Sequence, residues 1–289
     1  MTISLDTVRR HILIALFSDD ELMDTLVLKG GNALALVHHV GARASLDMDF
    51  SIQSAFADVD KAGVRIRDLL KREFATIGYV VFDDKFEIRP SRPRQDTPEW
   101  WGGYMVEFKL AEQALYDNFK ENLVELRKRS EELGPLQRRK YTIDISRHEF
   151  CSGKVQREVD DYIVYVYSLE MIAAEKLRAI CQQMPEYPFG TKSPRARDFY
   201  DIHQIVMGNG IELATEENFS MLSAIFAAKH VPLELLGSIN EQRDFHVLDW
   251  PSVETSISGK HSDFDTYFDF VVSLASELQA VRIKQSPIT

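Results

Sequence analysis

Cysteine is nearly absent: only Cys151 and Cys181 occur in 289 residues, and neither belongs to a CxxC pair. Their scarcity argues against a thiolate zinc site and against a disulfide framework, and it suits a reducing, cytoplasmic setting. Long apolar runs are absent too. No stretch approaches the roughly 20 residues that span a bilayer, so no membrane association is expected. The N-terminal MTISLDTVRRHILIALF is interrupted by Asp6, Arg9 and Arg10 and reads as an amphipathic helix rather than a signal. Positive charge is in deficit, with 34 Lys and Arg against 45 Asp and Glu and a formal net charge of -11. That balance argues against a protein that coats nucleic acid nonspecifically and suits divalent metals or a cationic substrate. The histidines His38, His39, His148, His203, His230 and His246 show no metal-binding spacing and are assigned to structure. There is no G-x-S-x-G and no Walker A lysine.

A 45% hydrophobic composition supplies a core. Helix is expected over residues 7–17 and a short buried strand over 26–28, ending at Gly30-Gly31. A helix then runs from Asn32 to about His39. Residues 46–52 alternate apolar and acidic, which is the period of a strand and turns Asp47 and Asp49 to one face. A helix over 64–77, strand segments at 79–82 and 86–88, a loop over 90–103 and a strand over 104–110 follow. One long charged helix is expected over 112–132 and a strand over 141–145 carrying Asp144. Past residue 168 the pattern becomes helical, with segments at 169–181, 196–206, 216–229 and 264–281. The expected organisation is an α/β domain with a mixed sheet over residues 1–160, then a mainly helical domain over 161–289 that completes the active site.

The chemistry concentrates in Lys29-Gly30-Gly31-Asn32 followed by Ser45-Leu46-Asp47-Met48-Asp49-Phe50. A strand that stops at two glycines lets a triphosphate approach the backbone, and the amides of a following helix would face that anion. Two carboxylates on the next strand suit Mg²⁺ or Mn²⁺, which take hard oxygen ligands and leave room for phosphates. Asp144 is the candidate third carboxylate. Ser45 is placed to orient a phosphate or Asp47, and Asn32 to donate to a phosphate.

The pattern K-G-G-x-A-L, then R-x-S-x-D-x-D-F, resembles the AbiEii/AbiGii toxin family of polymerase-β-like nucleotidyltransferases. Downstream, the run from Ser168 to Ala179 is similar to that family's lysine-bearing helix, and Arg197-Asp198-Phe199-Tyr200-Asp201 to its R-D-x-x-D motif. The likeness spans roughly residues 26–206. It departs at Asn32, where Thr or Ser is commoner. The resemblance implies a polymerase-β-like core and a toxin of a toxin–antitoxin or phage-defence module with a cognate antitoxin. The implied reaction moves an NMP from an NTP to an acceptor hydroxyl, in some members at tRNA ends. It implies catalytic roles for Asp47, Asp49, Lys176 and Asp198, with Asp198 pairing with Lys176 to hold its head in place.

Three basic clusters are candidates for tracking an RNA backbone: Arg127-Lys128-Arg129, Arg138-Arg139-Lys140, and Lys192 and Arg195 with Arg178 and Arg197. Trp100-Trp101 is placed either to stack on a base or to pack a loop onto the core. Two alternatives stay open: an antibiotic-modifying enzyme with a cationic small acceptor, or a non-catalytic module that binds nucleotide or antitoxin.

Overall fold

A computed structural model describes residues 3–40, 47–93, 95, 97–132, 138–257 and 259–285. The chain forms two compact units. The first comprises Met1–Asn32, Ser45–Cys151 and Val155–Val166, and the second Ala33–Ala44, Ser152–Lys154 and Tyr167–Thr289.

The first unit opens with helices α1 (Leu5–Phe17) and α2 (Asp20–Thr25). Strand β1 (Val27–Lys29) leads into the single turn α3 (Gly30–Asn32). Then come β2 (Met48–Ser51), α4 (Val59–Thr76), β3 (Tyr79–Arg89), β4 (Gly103–Glu112), α5 (Gln113–Phe119), α6 (Leu123–Arg129), β5 (Tyr141–Ser146), β6 (Val155–Val159) and β7 (Tyr162–Val166). One mixed sheet takes the order β3-β4-β5-β2-β1-β7-β6. Strand β2 runs antiparallel to β1 and parallel to β5.

Ser4 and Asp58 cap α1 and α4 by accepting from backbone N–H groups three residues on. Helix α1 buries Val8, Ile12, Leu13 and Leu16, a helical stripe, and packs beside α4, which buries Ile66, Leu70 and Phe74. Phe74 meets Phe108, which stacks on Tyr141 with ring centroids 5.4 Å apart.

Several segments differ from the sequence expectations. The two strand segments at 79–88 are one strand with a bulge after Phe82, where Asp83 has φ of 51°. Arg127 donates to both carboxylate oxygens of Asp83, at 2.6 and 2.8 Å, and holds that carboxyl below the usual range. The single long helix over 112–132 is instead α5 and α6, because Asn122 breaks it and caps α6 by accepting from Glu125 N–H. The β6–β7 hairpin was not anticipated. Its turn is Asp160-Asp161, both at positive φ, the geometry that two-residue hairpin turns require. The helix expected from Asn32 to about His39 begins as the single turn α3 and continues directly as a π-helical stretch, Ala33–His38, so the expected bounds hold and the helix type differs.

The second unit begins with a π-helical stretch, Ala33–His38, whose His38 Nε2 lies 2.8 Å from the Tyr167 carbonyl. Helices α7 (Leu169–Cys181), α8 (Ala196–Asn209) and α9 (Glu216–Ala227) follow, then a 3₁₀ stretch (Leu233–Gln242). Short α10 (Arg243–His246) and α11 (Trp250–Glu254) and the long α12 (Phe264–Gln285) complete it. Ser168 caps α7, and Gly210, at φ of 63°, ends α8 in the left-handed conformation that glycine tolerates. An aromatic cluster of Phe199, Phe264, Phe268, Trp250 and Tyr267 joins α8, α11 and α12.

Among the described residues, no helix is long and apolar enough to cross a membrane.

His246 lies in that aromatic cluster, and burial lowers its pKa from 6.5 to about 4, with Arg195 adding to the effect and Asp198 opposing it. A folded-state pKa below the unfolded one means that protons bind the unfolded chain first as pH falls. Stability present above pH 6.5 is therefore expected to decline toward pH 4, by about 3 kcal/mol from this group alone. Urea unfolding of wild type and His246→Asn at pH 7, 6 and 5 checks this. The variant's pH dependence should be flatter, and identical dependence would show that His246 does not titrate differently in the two states.

Candidate functional site

Strand register assembles the first-unit site. Lys29 of β1 pairs with Asp49 of β2, and Asp49 pairs with Asp144 of β5. Asp144 pairs with Met105 of β4, and Met105 with Glu87 of β3. Directly paired residues point to the same face of a sheet. Lys29, Asp49, Asp144, Met105 and Glu87 thus form one row across five strands. Asp47 stands just before β2, outside the strand proper.

The electrostatics follow from this row. Burial raises the pKa of Asp144, and Asp47 and Glu107 raise it further, while Lys29 and Arg89 oppose them. Asp47 and Asp144 thus lie close enough to repel. Lys29 is buried, with its Nζ 3.7 Å from Glu149 Oε1, an acidic partner that the sequence motif did not reveal.

Gly30 has φ of 68°, and a Cβ there would stand 2.7 Å from Asp49 Oδ2. Its missing side chain keeps the space beside that carboxylate clear. Gly31 is half-buried in the same turn. Asn32 corrects an expectation. It is fully buried, and its Nδ2 donates to the Asp47 carbonyl at 2.6 Å. Its side chain ties the turn after β1 to the start of β2 and does not reach out to a phosphate. Ser45 lies outside the described residues.

Among the described residues, no group of three or more His, Cys, Asp or Glu side chains is gathered so as to hold a metal ion. The donors nevertheless fit a hard divalent cation. Mg²⁺ needs only one or two carboxylates when substrate phosphates supply other ligands. Asp47 and Asp49 offer that number, beside a space that Gly30 leaves clear.

The second unit holds its own charged cluster. Lys176 of α7 is buried, and its Nζ lies 2.7 Å from Asp198 Oδ1 and 2.8 Å from Asp201 Oδ2, both on α8. Burial works against the ammonium, but the two aspartates outweigh it and hold the lysine above its usual value. Burial likewise opposes the Asp198 carboxylate, yet Lys176 and Arg195 keep its pKa below normal. The Lys176–Asp198 pair matches the sequence expectation. Asp201 as a second partner of the lysine was not anticipated, although its spacing three residues after Asp198 signals a shared face.

A family model described as the nucleotidyl transferase AbiEii toxin of type IV toxin–antitoxin systems matches residues 11–270. The chain belongs to the AbiEii family. It is a nucleotidyltransferase toxin by that membership, with an NTP as substrate and an antitoxin as counterpart. No curated protein matches it. Solved structures similar to this AbiEii chain include JHP933 from Helicobacter pylori, at 18% identity over 98% of this chain and 93% of that one, with a TM-score of 0.48. MenT4, a nucleotidyltransferase toxin from Mycobacterium tuberculosis, is 16% identical over 95% of this chain and 82% of its own, with a TM-score of 0.47. An antigenic nucleotidyltransferase-like protein from Paracoccidioides brasiliensis is 12% identical over 80% of this chain and 95% of its own, with a TM-score of 0.40.

Two expectations follow. Gly30→Ala should cost about 1–2 kcal/mol for the left-handed backbone and crowd Asp49, so nucleotidyl transfer should fall more than the urea midpoint does. A variant with normal transfer would show that the clearance beside Asp49 is dispensable. Lys176→Met leaves two carboxylates buried without their lysine, and breaking such a cluster costs about 3–5 kcal/mol. Thermal or urea unfolding measures it, and a loss below about 1 kcal/mol would place those carboxylates in water.

Proposed function

We propose that this AbiEii-family chain transfers a nucleoside monophosphate from an NTP to an acceptor hydroxyl through the row built on Asp49 and Asp144, with the tRNA 3′ end as acceptor. The in-register pairing of Lys29, Asp49 and Asp144 carries the reading. Asp47 and Asp49 would hold Mg²⁺ or Mn²⁺, with Asp144 as a third carboxylate. When bound, such a cation neutralises triphosphate charge and lowers the pKa of the attacking hydroxyl.

The chain's own residues do the rest. Gly30 and Gly31 admit the triphosphate to the backbone, and Lys29 supplies positive charge. Asn32 positions Asp47 through its carbonyl. The acceptor oxygen forms a bond to the α-phosphorus, the bond to the β-phosphate oxygen breaks, and pyrophosphate leaves. The hydroxyl proton passes to a neighbouring base. We also assign Lys176 and its partner Asp198 to the catalytic machinery, on the likeness of their two motifs to those of the family.

A small cationic acceptor is the second reading, and a specific observation favours it. The basic clusters that suit RNA in the sequence are largely engaged within the protein. Arg127 pairs with Asp83, Lys128 and Arg129 with Glu125, Arg139 with Glu132 and Lys140 with Glu107. Lys192 donates to the Gln182 and Tyr187 carbonyls, and Arg178 is buried against Glu175.

Asp47→Ala and Asp49→Ala should each lower transfer by at least about 100-fold, the effect of losing several kcal/mol of transition-state stabilisation, with unfolding midpoints preserved. Near-native transfer in either variant would remove that residue from the site. Labelled NTP offered with total tRNA or with an aminoglycoside separates the two acceptors. If tRNA is labelled, neutralising Arg127, Lys128 and Arg129 together should leave the salt dependence of tRNA binding unchanged, because these charges already have partners. A flattened slope would return RNA to that helix.

A further inference from the structure

His246 stands outside the residues assigned so far. It is the last residue of α10 and is fully buried. Its ring lies 5.1 Å from that of Phe199 on α8. Its Nδ1 accepts a hydrogen bond from the backbone N–H of Arg195 at 3.0 Å. A ring nitrogen that accepts carries no proton, so the neutral ring has its hydrogen on Nε2. Among the described residues, Nε2 finds no hydrogen-bond partner. The polar contact that distinguishes this ring from an apolar filler is therefore the one to Arg195.

Arg195 is the N-cap residue just before α8, and among the described residues no side chain caps that helix start. Its carbonyl accepts from Asp198 N–H at 2.8 Å, and its guanidinium lies 3.5 Å from Asp198 Oδ2. Residue 195 thus acts on Asp198 through both backbone and side chain, and His246 holds the backbone N–H of that same residue. Asp198 and Asp201 in turn grip Lys176.

We infer that His246 is a positioning residue for nucleotidyl transfer: its Nδ1 fixes Arg195 and the first turn of α8, and so the geometry in which Asp198 and Asp201 present Lys176. The inference rests on the assignment of Lys176 and Asp198 to the catalytic machinery. His246 touches no reacting group and acts through Arg195.

Three variants separate the hydrogen bond from the bulk of the ring. His246→Asn places an amide oxygen near the Nδ1 position, His246→Gln places its polar group near Nε2, and His246→Leu has no acceptor. Each is assayed for transfer from α-labelled NTPs into the acceptors of a whole-cell extract, at a temperature where circular dichroism shows it folded. His246→Asn should keep kcat within about threefold of wild type, whereas Gln and Leu should lose about tenfold or more in kcat, with little change in KM for NTP. Equal activity in all three overturns the inference, and so does an Asn variant as impaired as the Leu variant. Lys176→Ala is assayed alongside. If it transfers normally, the assignment of Lys176 fails. If it is inactive while His246→Leu is normal, only the role of His246 fails. A readout independent of activity is the ¹⁵N spectrum of the wild-type protein labelled at histidine. His246 should show a protonated Nε2 and a hydrogen-bonded, unprotonated Nδ1 at neutral pH, and the opposite tautomer would overturn the inference even if the Leu variant fails to fold.

Discussion

Everything proposed for the first unit depends on the hydrogen-bond register of three short strands. Strand β1 has three residues and β2 has four, so little side-chain surface is available to hold them in place. Register is nonetheless strongly specified, because Leu28, Met48, Phe50, Ile143 and Ile145 are buried almost completely. A slip of one residue would turn these side chains out and send Asp49 and Asp144 inward. The apolar residues between the carboxylates are therefore what place the carboxylates. The parallel pairing of β2 with β5 then brings two acidic strands together that are far apart in the chain.

Charge beside this row is only partly balanced. Burial and the nearby Asp47 both make the charged form of Asp144 costly, and Lys29 and Arg89 offset that only in part. Carboxylates arranged this way favour a binding partner that brings positive charge. The second unit resolves the same problem internally. There, two buried carboxylates share one buried lysine, and Arg195 stands at the edge. Desolvation makes such a cluster expensive to break, whatever its net contribution to folding.

Charge accounting also bears on the acceptor. An acidic chain that still contains basic clusters invites the view that those clusters bind nucleic acid. Here most residues of those clusters face partners within the protein. Arg127 stabilises the bulge at Asp83, and Lys192 ties the loop after α7 back to Gln182 and Tyr187. Their spacing in the chain carries no information about partners supplied by other strands and loops.

By itself, the sequence determined the family, the alternation that makes β2 a strand, the acidic pair, and the helices expected at 169–181 and 196–206, because these rest on local periodicity, capping residues and short motifs. The pairing of Lys176 with Asp198 was legible as well, since both motifs stand on clear helices. Tertiary structure decided the rest. The splitting of the helix at Asn122 turned on one capping side chain, and the β6–β7 hairpin on two aspartates able to adopt positive φ. Glu149 beside Lys29, Asn32 on the Asp47 carbonyl and His246 on Arg195 join residues 120, 15 and 51 positions apart. Local pattern reaches only a few residues along the chain, whereas the partner of a buried polar group is whichever group the packed core brings within hydrogen-bond distance.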